Sequence, residues 1–140
     1  MPPSPKSPAG SRPGSRVLVS SGSPYEPIIG FSRAVRAGNH VTVSGTAPIW
    51  PDGSCDPDPA AQMWRCIAII EAALVEAGGS LSDVVRTRIL LVDREDAESV
   101  GRVHGEVFGQ VRPANTMVVV SGFIDPRWKV EVEVDAILVD

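Results

Sequence analysis

Cysteine, histidine and aromatic residues are all scarce in this chain of 140 residues, with two Cys, two His and 5% Phe, Trp and Tyr. Two cysteines do not make a disulfide framework, and Cys55 and Cys66 stand eleven apart with no histidine at ligand spacing. They read as one loop thiol and one thiol in a helix core. His40 and His104 are far apart, which excludes a sequence-local zinc motif and leaves open a site assembled in three dimensions. No Ser-His-Asp order, Walker loop or dinucleotide fingerprint is present. No apolar run approaches the roughly 18 to 20 residues of a membrane-spanning helix, and the N-terminus lacks the apolar stretch of a secretory signal. Both absences point to the cytoplasm and away from a membrane partner.

Positive charge is also in short supply outside one end. The formal net charge is −4, yet Lys6, Arg12 and Arg16 fall in the first sixteen residues, where there is no acid. The remainder carries ten basic against seventeen acidic residues. An acidic body with few aromatics lacks the basic footprint that supplies most nucleic-acid affinity, so no nucleic-acid partner is expected.

What is present suits one domain, with 43% apolar residues. Eleven of the first fifteen residues are Pro, Ser or Gly. Such a segment buries too little apolar surface to offset its ordering entropy, so residues 1–15 are expected to be a disordered tail and 16–140 the folded domain. RVLVS from Arg16 suits a first strand. IIGFSRAV (28–35) and HVTVSG (40–45), joined through Gly38-Asn39, read as a β-hairpin. Asp58-Pro59 opens a helix as N-cap and first position, Met63, Ile67, Ile70 and Leu74 form its apolar stripe, and Gly78-Gly79 ends it. Residues 84–92 are β-prone. A second helix is expected over 96–108, with Val100, Val103 and Val107 inward. Its Gly101 and Gly105, costly in a helix interior, suggest close backbone approach. NTMVVVS and KVEVEVDAILV complete the set, the last placing Val130, Val132 and Val134 on one face and Glu131, Glu133 and Asp135 on the other. The order β-ββ-α-β-α-ββ describes an α+β fold, a mixed sheet with both helices on one face. The other face is left to water or to another subunit.

Read by spacing alone, the acidic row 131, 133, 135 either supplies a general acid/base or forms cross-strand ion pairs with Arg86 and Arg88, the second being favoured. His104, beside an apolar stripe, reads as a packed and hydrogen-bonded histidine.

Five strings in order, IIGFSRAV with AGNHVTVSG, DVVRTRILLVD, VHGEVFG, RPANTMVVVSG and VEVEVDAILV, resemble the Rid (YjgF) family of reactive-intermediate deaminases over roughly residues 25–140. The resemblance implies a chorismate-mutase-like fold, a homotrimer, and small-metabolite pockets between subunits. It also implies hydrolysis of enamines or imines to 2-keto acids and ammonia, with no metal and no cofactor. The family's pocket serine corresponds to Ser44, and its water-positioning acid on the last strand to Glu133. Its pocket tyrosine falls on Phe31, and the small residue or cysteine near the key arginine on Met117. In Pro113-Ala114-Asn115-Thr116 the arginine itself is replaced by Asn115, with Thr116 next in the ligand-lining segment. A planar guanidinium fork grips a carboxylate through two charge-assisted bonds, which a neutral amide does not. Arg33 and Arg112 are the alternative cations within reach in sequence. Weak or no action on simple 2-imino acids is therefore expected. Three readings stay open: an enamine or imine hydrolase, a non-catalytic small-molecule-binding trimer, and a specialised biosynthetic enzyme.

Overall fold

The computed structural model describes residues 15–139. The stretch expected to be a disordered tail lies outside the described residues except for Ser15. Six strands, β1 (Arg16–Val19), β2 (Ala34–Ala37), β3 (His40–Thr46), β4 (Val84–Leu91), β5 (Ala114–Val119) and β6 (Val130–Ile137), form one sheet in the order β1-β2-β3-β6-β4-β5. Every neighbouring pair is antiparallel except β4 and β5. That parallel pair needs a crossover, and helix α2 (Ala97–Phe108) supplies it. Helix α1 (Pro59–Glu76) lies across β6 and β3 and against α2. The chain is thus an α+β domain with two helices on one face of a mixed sheet.

Local chemistry sets the ends of α1. Asp58 accepts the Ala61 N–H at 3.1 Å with Pro59 next to it, and Gly79 N–H closes the last turn on Leu74 O at 2.8 Å past Gly78 at φ +94°. The stripe Met63, Ile67, Ile70 and Leu74 is buried against Val41, Val43, Val132 and Val134. In β6, Val130, Val132 and Val134 are at most 1% exposed, while Glu131, Glu133 and Asp135 face the side that carries no helix.

The structure corrects two expectations. Residues 28–33 are not strand: Glu26–Gly30 form a single π-helical turn, and β2 begins only at Ala34. The buried Glu26 carboxylate accepts from Ser20 Oγ (2.8 Å), Ser21 N (3.0 Å) and Ser21 Oγ (2.6 Å), while its backbone oxygen takes the Phe31 N–H at 3.0 Å. This closed set of bonds overrides the β-propensity of Ile28 and Ile29, which are left 78% and 69% exposed. The glycines of α2 are not explained by close backbone approach within one chain. A Cβ on Gly101 would meet Met117 Cε at 3.7 Å, an ordinary contact, and one on Gly105 would meet nothing within 4 Å.

Candidate functional site

A β-bulge organises the open face. Val43 pairs with Val134 and Thr46 with Val132, so Ser44 and Gly45 together stand opposite Glu133. Ser44 donates from Oγ to Ser32 O at 2.6 Å, and its N–H bonds Arg33 O at 2.9 Å, tying the bulge to the segment leading into β2. Gly45 has no side chain to fill the space it faces. A Cβ there would lie 3.3 Å from Glu131 Oε1 and 4.0 Å from Glu133 Oε2, so two carboxylates converge on one backbone position.

Each carboxylate has a cation. Glu133 is directly opposite Arg88 on β4 and forms an ion pair with Arg88 Nη1. Glu131 lies near Arg33: burial raises its pKa, Arg33 works against that rise, and Glu133 adds to it. Arg33 donates from Nη1 to Gly45 O at 2.7 Å and Thr46 Oγ1 at 3.0 Å, and its guanidinium carbon sits 5.5 Å from the Phe31 ring centroid. Burial lowers the Arg33 pKa, opposed by Glu26 and Glu131. Phe31 and Arg33 therefore meet, although through an irregular segment and not along a strand face. Farther along, Asp135 accepts from Thr42 Oγ1 at 3.0 Å and approaches His40 at 3.5 Å. Arg86, opposite Asp135 in register, instead donates to Thr116 Oγ1 at 2.8 Å. Of the two cross-strand pairs expected from spacing, the structure makes Arg88–Glu133, and Arg86 bonds Thr116.

Asn115 and Met117 belong to the other side. Asn115 pairs with Thr87 in the parallel ladder and donates from Nδ2 to Thr87 Oγ1 at 2.9 Å. Thr87 is 0% exposed, and its hydroxyl also meets His104 Nε2 on α2 at 2.8 Å. The His104 ring packs on Phe108 at 4.8 Å between centroids, and burial lowers its pKa. Thus Ser44, Arg33 and Glu133 are brought together with Thr116 on their face of the sheet, whereas Asn115 and Met117 lie on the helix side of the same chain. Arg112 is exposed, with φ +58°, where its N–H bonds Phe108 O at 2.7 Å as the chain leaves α2. Among the described residues no group of three or more His, Cys, Asp or Glu is placed to hold a metal ion, and no helix is long and apolar enough to cross a membrane.

Residues 22–138 match the model of the family described as Endoribonuclease L-PSP. The chain belongs to this family, also called YjgF or Rid. It is 44% identical over 119 residues to the uncharacterized protein SCO2049 of Streptomyces coelicolor, covering 84% of this chain and 89% of that one. It is 34% identical over 120 residues to the 3-aminoacrylate deaminase RutC of Acinetobacter baylyi, covering 83% and 92%. Among solved structures, Rv2704 of Mycobacterium tuberculosis, a member of the YjgF/YER057c/UK114 family, superposes with a TM-score of 0.82 at 45% identity, covering 89% of this chain and all of that one. The sheet with its two helices is accordingly the YjgF fold.

Within this Rid-family chain, sequence reasoning overlooked Thr87 as a member of the Asn115 cluster. The signal was weak, since a lone Thr in a β-prone run points nowhere until the β4–β5 register is known. Arg88 and Glu131 were visible as alternating charges on their strands, but that Arg88 meets Glu133 and that Glu131 lies near Arg33 depended on how the strands register.

Proposed function

We propose that the protein is a homotrimer that holds a small metabolite in pockets between subunits and hydrolyses a reactive enamine or imine there. The observation that carries this reading is the Arg88–Glu133 ion pair beside the Ser44–Gly45 bulge, on a sheet face that no helix covers. The Glu133 carboxylate, held in place by Arg88, accepts a hydrogen bond from water and aims the water oxygen outward. That oxygen bonds to the imine carbon as Glu133 takes one water proton, and the C=N electron pair moves to nitrogen, which receives that proton to give a carbinolamine. Glu133 then takes the hydroxyl proton and passes it to nitrogen while the oxygen electron pair forms C=O and the C–N bond breaks, giving a carbonyl compound and ammonia. The name of the RutC relative, a 3-aminoacrylate deaminase, supports this reaction class. Assembly is supported by the exposed apolar residues Ile28, Ile29 and Ile124. It is also supported by the placement of Asn115: a pocket that includes both Asn115 and Glu133 draws one of them from a second copy.

Asn115 sets the substrate range. Loss of the guanidinium removes charge-assisted bonding worth roughly 1.5–3 kcal/mol, about 10- to 150-fold, so simple 2-imino acids are poor substrates. The test generates 2-aminoacrylate with a dehydratase, and 3-aminoacrylate separately, and follows ammonia release with the protein added. Little acceleration is expected with 2-aminoacrylate. For whichever enamine or imine is turned over, Glu133→Gln is expected to lower kcat about 100-fold or more. Undiminished turnover by that variant, or a monomer by light scattering at micromolar concentration, would refute the reading.

One observation favours a second reading, binding without turnover. Phe31 brings no hydroxyl and Asn115 no charge, so the ligand-facing groups suit an uncharged molecule. Saturable binding of a metabolite with no ammonia released from any enamine would establish it.

A further inference from the structure

The hydroxyl of Thr87 is fully buried between two partners, Asn115 Nδ2 at 2.9 Å and His104 Nε2 at 2.8 Å. An amide NH2 only donates, so Thr87 accepts from Asn115, and among the described residues His104 Nε2 is the partner left for the buried hydroxyl hydrogen. His104 Nε2 is then a bare acceptor, and the ring proton sits on Nδ1. Burial, the sole cause of the lowered His104 pKa, holds the ring in this neutral state. Among the described residues no charged group contributes to that shift: Arg86 and Arg88 on β4 and the acids of β6 turn to the other sheet face, Asn115 and Met117 on β5 are neutral, the residues buried by α1 are uncharged, and Glu106 and Arg112, on and just after α2, are exposed. On α2 itself, Arg102 and Glu98 pair with each other in solvent.

Hydrogen-bond direction along this chain therefore decides what Asn115 offers outward. Asn115 is exposed on β5, an edge strand. With one amide N–H committed to Thr87, its carbonyl Oδ1 and second N–H remain, an acceptor beside a donor. A primary amide or ureido group presents the complementary pair, whereas a carboxylate presents acceptors only. We infer that Asn115, positioned by Thr87 and His104, forms a subsite for an uncharged carboxamide- or ureido-like group, and that protonation of His104 reverses its polarity. Once Nε2 carries a proton it donates to Thr87, and the buried Thr87 hydrogen needs another acceptor. Rotation of the Asn115 amide supplies Oδ1 for it and turns the NH2 outward, toward a carboxylate. This inference rests on the proposed ligand pocket for its substrate class, while the direction of the hydrogen bonds stands without it.

The first measurement needs no ligand. Long-range proton–nitrogen NMR of the full-length protein at about pH 8, above the ordinary imidazole range, should show His104 protonated on Nδ1 and bare on Nε2; a protonated Nε2 overturns the inference whether or not the protein is a hydrolase. The second titrates pyruvamide and pyruvate, followed at the Asn115 side-chain amide and the Met117 methyl. At about pH 8 pyruvamide should bind about tenfold more tightly, and the preference should shrink or invert once His104 protonates. Thr87→Val should abolish the pH dependence and Thr87→Ser, which keeps the hydroxyl, should retain it. Equal affinities, a preference for pyruvate at about pH 8, or no shift at Asn115 with either probe overturns the subsite. If Thr87→Val fails to fold, a Thr87→Ser protein without the pH dependence overturns it equally.

Discussion

On its helix side β6 buries Val130, Val132 and Val134, whereas on its other side the same strand sets Glu131, Glu133 and Asp135 among Arg33, Arg88 and His40. The contrast extends to β4, where Ile89 and Leu91 lie under the helices and Arg86 and Arg88 face out. Buried polar groups on the helix side are few and paired, as Thr87 is with Asn115 and His104, because an unpaired group buried there has no water to fall back on. Charges on the open side tolerate imperfect pairing: Glu131 has a nearby cation, but burial still holds its pKa up. One face stores stability, and the other keeps its carboxylates at the surface, paired with cations.

The largest expected break in this comparison is Ile89→Ala, which removes a side chain that is 0% exposed and should cost about 2–5 kcal/mol in urea unfolding. Glu131→Gln, on the opposite face of the adjacent strand, should change stability by only about 0.5 kcal/mol; a loss like that of Ile89→Ala would show that Glu131 is structural. Next comes Thr87→Val, which leaves His104 Nε2 without its donor and should cost about 1–2 kcal/mol, with its pH dependence altered more than its midpoint.

The two faces should also respond to pH with opposite signs. The folded pKa of His104 lies below its ordinary value of 6.5, so its contribution is complete above about pH 6.5 and is lost as pH falls through the folded value. The folded pKa of Glu131 lies above its ordinary 4.5, so its contribution is present below about pH 4.5 and is lost as pH rises through the folded value. Thermal unfolding across pH, repeated with His104→Gln and Glu131→Gln, separates the two slopes; a variant that leaves its slope intact rules out that assignment. The smallest effect is expected for Gly45→Ala. The flexible end of Glu131 gives way to the new methyl, stability changes by about 0.5 kcal/mol, and a shift in the Glu131 titration is the sharper readout.

Much of the framework was legible in the residues. Asp58-Pro59 and Gly78-Gly79 mark both ends of α1 because capping and positive φ are local chemistry. The valine–acid alternation announces a strand with one buried face. Where several side-chain bonds five or six residues apart compete with strand propensity, reading failed: Ile28 and Ile29 favour a strand, but the Glu26 carboxylate and two serines impose a π turn. In the site, the composition of Asn115 and its missing charge could be read directly, while its partner Thr87, 28 positions away, could not.

The order of elements, the binary pattern that separates buried valines from exposed acids, and the family resemblance with its missing arginine were determined by sequence alone, because each depends on residue type at short spacing. Tertiary structure decided which charges meet, that Ser44 and Gly45 bulge toward Glu133, and that Asn115 lies across the sheet from that carboxylate. Strand order and register bring residues tens of positions apart within hydrogen-bonding distance, and a one-residue change in register would turn every one of those side chains to the opposite face.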